Sequence, residues 1–439
     1  MYDIIYIGGG LNYAGAIVAS RAGKKVALIE EDLKTLGGAC LHKGCIPSKM
    51  FLHYSNLVFE SQDPLLDGKL TLNVPLLLEK KNKLLNSAAK AVTKQCRDFE
   101  LIEGKAEVVA PYEVKVNGEI LKASSIVMGT GSRPFIPKGI AYDATHIITS
   151  DEVLMLDILP DEIAIYGDGA IGLEMASFFA TAGSKVTLIY RHDIIQPHAH
   201  PQIQQGLLNQ LDFLNIERLE KHSIKSAQKN DQGVEITFDN GETLHKPLLL
   251  IAVGRQPNKE VVVCDEIAVG KGITTDEWFE TTHKDHYAIG DCNGKIQLAH
   301  AARAQALNVT AQILGKKPSA LNLEHIVKFI HTLPMSYALV GKTAFELQKE
   351  GKEFQQSLVT LNQFTYSAYN HAGKGLMLTY ADKNGLILGA EIFAPNAEEL
   401  IAPVAISLAG ELSAKEAKST ILAHPTFSEA LERTFFKLK

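Results

Sequence analysis

The sequence predicts an α/β fold: two Rossmann-like units with doubly wound parallel sheets, followed by a smaller α+β domain. Three observations predict it. A strand, glycine turn, helix and second strand read along residues 3–30 as DIIYI, GGGLNYAG, AIVASRAGK and KVALIE. The same order returns along residues 163–190 as IAIY, GDGAIG, LEMASFFATAGS and KVTLIY, and the two copies close alike on AGKKVALI and AGSKVTLI. Near the C-terminus, LVTLNQF, GLMLTYAD and GLILGAEIF read as consecutive antiparallel strands with turns such as DKNG between them.

A chain of 439 residues exceeds what one hydrophobic core serves, so several domains are expected. Hydrophobic residues make up 46% and charged ones 21%, the balance of a soluble globular protein. Forty-four basic against fifty acidic side chains give a net charge of -6 with no long run of either sign, which argues against nucleic acid as a partner. No apolar stretch is long enough to predict a membrane span. The opening residues MYDIIYIGGG pass straight into strand and turn with no leader pattern, so a cytoplasmic location is expected.

Each glycine turn has the form of a dinucleotide fingerprint, in which glycines let the backbone approach a pyrophosphate at a helix N-terminus. The second is complete, with Gly167, Gly169 and Gly172 after an apolar strand. The first has Gly8 and Gly10, but Tyr13 stands at the third glycine position and the copy is one residue shorter. Ala14 or Gly15 is left to supply the close helix packing. Glu30 ends the second strand of this copy, where a carboxylate can accept hydrogen bonds from a ribose diol. The second copy has Tyr190 there, followed by Arg191 and His192. Arg191 suits a 2'-phosphate, as in NADP, whereas a glycine at 172 is usual for NAD. The nicotinamide preference is therefore left open.

GGACLHKGCIP, residues 37–47, holds Cys40 and Cys45 with four residues between them. A structural zinc site wants four ligands, and the other cysteines, Cys96, Cys264 and Cys292, are scattered singly; no metal site is expected. A structural disulfide is out of place in a cytosolic enzyme with a large core. What remains is a pair that opens and closes, with a helix start favouring a thiolate at Cys45 and Pro47 marking that start.

These residues resemble the flavin-dependent pyridine nucleotide-disulfide oxidoreductases, along essentially the whole chain. GGACLHKGCIPSK is similar to the family's redox-active segment, GTGSRP at 129–134 to its return strand, and VGRQPN at 253–258 to its second crossover. HYAIGD at 286–291 resembles its second flavin motif and HPTFSE at 424–429 its C-terminal signature. The resemblance implies FAD, and NAD or NADP, as cofactors. It makes Cys40 the interchange thiol and Cys45 the charge-transfer thiol. Lys49 and Glu174 become an ion pair near the flavin, and Asp291 the ligand of the ribitol chain. Gly38, Thr130, Gly131 and Ala299 join the flavin-side contacts, with Gly254 and Arg255 at the crossover. His424 and Glu429 become an acid-base pair that reaches the partner subunit's cysteines in a homodimer. Chemistry alone supports that last pair: a dithiol must lose a proton before it can attack a disulfide, and a nearby carboxylate can fix a histidine tautomer. The plainer reading is that HPT begins a helix capped by threonine or serine. His53 and His371 read as surface or packed residues.

The expected order is a discontinuous FAD domain, residues 1–149 and 271–321, a nicotinamide domain at 150–270, and a dimerisation domain at 322–439. LAHAA, PNAEELI, LLLEKKNKLL and Ala170 lean towards the dihydrolipoyl dehydrogenase branch, with a lipoyl dithiol as substrate. Arg191 and His192 support the alternative, an NADPH-dependent reductase of another small disulfide. A third reading, a flavin- or metal-binding regulator, predicts bound zinc without flavin colour.

Overall fold

The computed structural model describes residues 1–370 and 372–438; His371 lies outside them. Two compact units emerge. The first comprises Met1–Met50, Pro75–Phe135 and Arg255–Leu323, and the second Phe51–Val74, Ile136–Gly254 and Glu324–Lys439.

In the first unit, five strands run parallel in the order Glu100–Glu103, Val26–Glu30, Tyr2–Ile7, Glu119–Met128 and His286–Ala288. Side chains on successive residues point to opposite faces, so Ile4 and Tyr6 enter one core while Ile5 and Ile7 enter another. Both faces are covered, which is why these strands read as continuous apolar runs. Each fully buried Ile or Leu in them contributes about 1.5–3 kcal/mol. The long strand Glu119–Met128 begins outside the parallel region, in an antiparallel meander with Glu107–Ala110 and Glu113–Val116.

The helix Tyr13–Arg21 follows the first glycine turn. Of the two residues left to replace the third glycine, Gly15 is the one that permits close packing: a Cβ there would lie 2.5 Å from Thr310 Oγ1 and 3.1 Å from Ala306 O, on the helix Ala299–Ile313. Asn12 completes the altered turn from within, its buried amide donating to Ile7 O and Val127 O at 3.2 Å each.

The second unit contains another parallel sheet, ordered Glu217–Leu219, Lys185–Ile189, Glu162–Tyr166, Leu249–Ile251 and Ile147–Ile148. Its helix Ala170–Ala182 packs on a turn in which a Cβ at Gly172 would collide with the Gly167 carbonyl oxygen. Gly172→Ala is accordingly expected to destabilise this unit by about 2–3 kcal/mol, the size of an overpacking penalty with backbone on the other side. A thermal melt with unchanged midpoint would contradict that.

The C-terminal part of the second unit is a five-stranded antiparallel sheet ordered Lys328–Ile330, Ser336–Gly341, Ile387–Ala394, Leu376–Ala381 and Gln355–Thr360. Three of these are the expected strands. The LVTLNQF strand stops at Thr360 because a 3-10 turn follows at Leu361–Gln363, where Thr360 Oγ1 bonds the side chains of Asn362 and Gln363 at 2.7 and 2.8 Å. The DKNG turn forms as expected, with Asp382 Oδ1 accepting the N–H groups of Asn384 and Leu386 at 2.8 Å. Glu391, on the central strand, is fully buried and accepts from Tyr337 and Tyr380 hydroxyls at 2.8 and 2.6 Å. Oε1, which accepts from Tyr337, also receives the His200 N–H at 3.0 Å. Three donors offset the cost of burying that carboxylate.

Candidate active site

Two tight glycine positions, Gly37 with φ +102° and Gly38 with φ +65°, turn the chain into a short helix, Gly38–His42, which carries Cys40. A second helix, Cys45–Glu60, opens on Cys45 itself, with Lys49 one turn on. Pro47 falls in its first turn, where the missing N–H costs nothing. Cys40 is half-buried and Cys45 exposed. The two thiol groups share a hydrogen bond. That bond, then burial, then the negative charge at Cys45 push the Cys40 thiol well above its usual range, with a smaller push from Asp291. The start of the helix Cys45–Glu60 is where a thiolate is favoured, which places Cys45 as the sulfur better suited to carry charge.

Asp291 lies in the turn Gly290–Asn293 after the strand His286–Ala288. Burial raises its carboxyl above the usual range, against the Ser132 hydrogen bond and the Arg255 charge. Ser132 Oγ donates to Asp291 Oδ2 at 2.6 Å, and Arg255 holds Ser132 through Nε at 2.8 Å and a second nitrogen on its carbonyl at 2.7 Å. Thr130 and Asn258 tie the same two segments together: Thr130 Oγ1 donates to Asn258 O at 2.5 Å, and Asn258 Nδ2 to Thr130 O at 2.9 Å. The motifs GTGSRP and VGRQPN thus meet as short antiparallel strands, Ser132–Pro134 with Arg255–Pro257. Ser132 and Asn258 were not singled out from the sequence, although both sit inside those motifs.

The first fingerprint leaves space for a ligand. A Cβ built on Gly10 or on Gly131 meets nothing within 4 Å, and the helices starting at Tyr13 and Ala299 have no side-chain cap on their first N–H groups. Glu30 accepts the Gly9 N–H and, at 2.8 Å, that of Glu31; burial nevertheless raises its carboxyl above the usual range. Each of its oxygens keeps lone-pair capacity for a ribose hydroxyl. Open glycines, two uncapped helix starts and a carboxylate at the strand end fit FAD.

In the second fingerprint, Gly169 precedes the helix Ala170–Ala182 and, like Gly254, faces open space. This suits the pyrophosphate of a nicotinamide dinucleotide. Tyr190 does not face that space: its ring is buried and its hydroxyl donates to Glu220 at 2.8 Å. Arg191 is exposed, its Nε 3.3 Å from His192 Nε2. Glu174 is buried on the same helix and accepts the His331 N–H at 2.9 Å.

At the C-terminus, His424 Nδ1 lies 2.7 Å from Glu429 Oε1, and the imidazole is 78% exposed. Glu429 also accepts the Thr426 N–H at 3.1 Å, just before the helix Ser428–Phe436, whose start has no threonine or serine side-chain cap. The histidine holds the Glu429 carboxyl below its usual range. With Nδ1 committed to Glu429, Nε2 is the atom left to take a proton.

Residues 2–306 match the pyridine nucleotide-disulphide oxidoreductase family, and residues 327–435 match the dimerisation domain of the same family. The chain belongs to the pyridine nucleotide-disulphide oxidoreductases. As a member it is an FAD-dependent disulfide oxidoreductase that works with a pyridine nucleotide. Relatives within the family include dihydrolipoyl dehydrogenase 2 of Arabidopsis thaliana chloroplasts, 32% identical over 99% of this chain and 82% of the relative. Dihydrolipoyl dehydrogenase of Chlamydia pneumoniae is 32% identical over 98% of this chain and 95% of the relative. Among solved family folds, LpdA of Mycobacterium tuberculosis superposes with a TM-score of 0.91 at 23% identity, covering 99% of both chains. The flavoprotein disulfide reductase RclA of Escherichia coli gives 0.90 at 24% identity, covering all of both.

Proposed function

We propose that this oxidoreductase is a dihydrolipoyl dehydrogenase, working as a homodimer in the cytoplasm. The observation that carries the dithiol chemistry is the thiol pair itself: half-buried Cys40 in the helix Gly38–His42 and exposed Cys45 opening the next helix, joined by a hydrogen bond. Relatives named dihydrolipoyl dehydrogenase across nearly the full chain support a lipoyl group as the substrate. Among the described residues, no helix is long and apolar enough to cross a membrane. The nicotinamide domain is proposed at 150–270 and the dimerisation domain at 322–439.

In the proposed reaction, Nε2 of the partner subunit's His424 takes a proton from one substrate thiol. The resulting thiolate attacks Sγ of Cys40 in the Cys40–Cys45 disulfide, and the electron pair of the broken bond leaves on Cys45. The second substrate thiol then attacks the substrate sulfur of the mixed disulfide, its proton passing to the departing Cys40 sulfur, which closes the substrate disulfide and frees Cys40 as a thiol. Two electrons have passed from the substrate to the cysteine pair. Bound FAD supplies an acceptor for that pair and a route for it to the pyridine nucleotide as hydride. Glu30, Asp291 and the open turn at Gly10 would hold FAD. Gly169 and Arg191 would hold the nicotinamide dinucleotide, and Lys49 and Glu174 are the charged residues proposed beside the reacting rings.

Steady-state rates with NADH, NADPH, NAD and NADP against a panel of thiols and disulfides test this reading. Dihydrolipoamide is expected to be the best electron donor. The second reading, an NADPH-driven reductase of another small disulfide, is favoured by exposed Arg191 beside His192. It gains if NADPH is oxidised by such a disulfide while dihydrolipoamide is ignored.

A further inference from the structure

Glu174 is held by a residue that the reaction scheme does not use. The chain leaves the strand Lys328–Ile330 at His331, whose backbone N–H donates to Glu174 Oε1 at 2.9 Å. The ring of the same residue turns to the helix Ala397–Leu400, where Nδ1 lies 2.8 Å from Glu398 Oε1. Both side chains are mostly buried, at 24% and 15% exposure. Glu398 Oε2 is buried without a hydrogen-bond partner, so the carboxylate depends on His331 for much of its compensation. Burial alone would raise the Glu398 carboxyl, but its interactions, those with His331 foremost and a backbone bond and Ser336 after them, hold the group below its usual range.

The next residues are fixed by neutral bonds. Thr332 Oγ1 donates to Met335 O at 2.6 Å, while Gln210 accepts the Met335 N–H and donates to its carbonyl, each at 3.0 Å. The His331–Glu398 hydrogen bond is thus the side-chain anchor at the start of a segment whose first N–H aims at Glu174.

We propose that His331, clamped by Glu398, is a positioning residue for the Glu174 carboxylate, and so sets the nicotinamide half of the reaction and not the dithiol half. This rests on the reading of Glu174 given under Proposed function. An ionised carboxylate accepts a backbone N–H strongly and directionally. Freeing the segment lets that donor drift, and a displacement of about 1 Å at a reacting centre costs on the order of a hundredfold in rate. A partial effect of about tenfold is expected here, because the Thr332 and Gln210 bonds remain.

The test uses the FAD-loaded protein with His331→Ala, Glu398→Ala and His331→Asn. Asparagine can place Nδ2 near the position of Nδ1 and keep the bond to Glu398. Amide hydrogen exchange of a peptide spanning 328–336 is expected to speed up about tenfold in both alanine variants and to return most of the way in His331→Asn. Rapid-mixing rates should show the nicotinamide half-reaction slowed in the alanine variants with the dithiol half-reaction unchanged. Unaltered exchange in both alanine variants, or an equal fall in both half-reactions, overturns the proposal. Glu174→Gln separates the two claims. If it leaves the nicotinamide half-reaction intact, the role assigned to Glu174 fails, while the exchange data still decide whether His331 anchors the segment.

Discussion

Cys45→Ser is expected to lower turnover with any dithiol by about a thousandfold or more, the scale on which removal of a covalent participant acts. The protein should remain folded and yellow. The argument starts from geometry: Cys45 is the first residue of the helix Cys45–Glu60 and is exposed, so a hydroxyl in place of the thiol disturbs no core packing. What it removes is the sulfur that leaves when the bridge at Cys40 is attacked, and serine forms no disulfide. Cys40→Ser should be equally inactive yet differ in colour. It keeps a thiolate at Cys45 without the thiol donor at Cys40, so a long-wavelength thiolate-to-flavin band should be present without any added reductant. Cys45→Ser should lack that band under every condition. Absorption spectra and steady-state rates of the two variants check this together. Substantial turnover in either variant would end the disulfide mechanism, and a band in Cys45→Ser would reverse the roles of the two sulfurs.

The difference between what the sequence shows and what it hides follows from distance along the chain. The first two strands of each fingerprint are readable because they are short apolar runs set against a glycine turn, signals that lie within ten residues, whereas the outer strands of both sheets carry no such mark. The redox helix was readable for the same reason, from Cys45 and Pro47. Gly15 was not separable from Ala14, since the atoms that demand a glycine belong to Ala306 and Thr310, far away in sequence. Glu391 sits in GLILGAEIF where alternation alone gives no warning of a buried charge; its partners Tyr337, Tyr380 and His200 come from three other segments.

The site divides in the same way. Cys40 and Cys45 stand out through residue type and spacing, and His424 and Glu429 through the resemblance of HPTFSE to the family's C-terminal signature; in the structure a hydrogen bond joins the thiol groups, and 2.7 Å separates the imidazole from the carboxylate. Tyr190 was included on position alone, and its ring is turned inward to Glu220. His331 was passed over because nothing next to it in sequence marks it. Its meaning depends on Glu174 and Glu398, one lying far before it and one far after.

His424→Ala should slow the dithiol half-reaction by about a hundredfold to ten-thousandfold, the usual range for loss of a positioned acid-base group. The nicotinamide half-reaction should keep its rate, because the proton that His424 takes belongs to the substrate thiol. Glu429→Gln gives the finer test. The Glu429 carboxylate, 2.7 Å from Nδ1, holds the ring in one orientation, and the histidine lowers the carboxyl of Glu429. Removing that carboxylate leaves the ring without the partner that fixes its tautomer, so the dithiol half-reaction should slow by a measurable factor while the nicotinamide half-reaction keeps its rate. The depressed Glu429 carboxyl adds a stability term that is present above its unfolded-state titration and lost as pH falls through the folded one. The variant lacks that term, so its midpoint should differ from the parent at neutral pH and converge with it in acid. An unchanged dithiol half-reaction in Glu429→Gln would mean that Glu429 only supports the chain through Thr426 and leaves the proton transfer to His424 unaided.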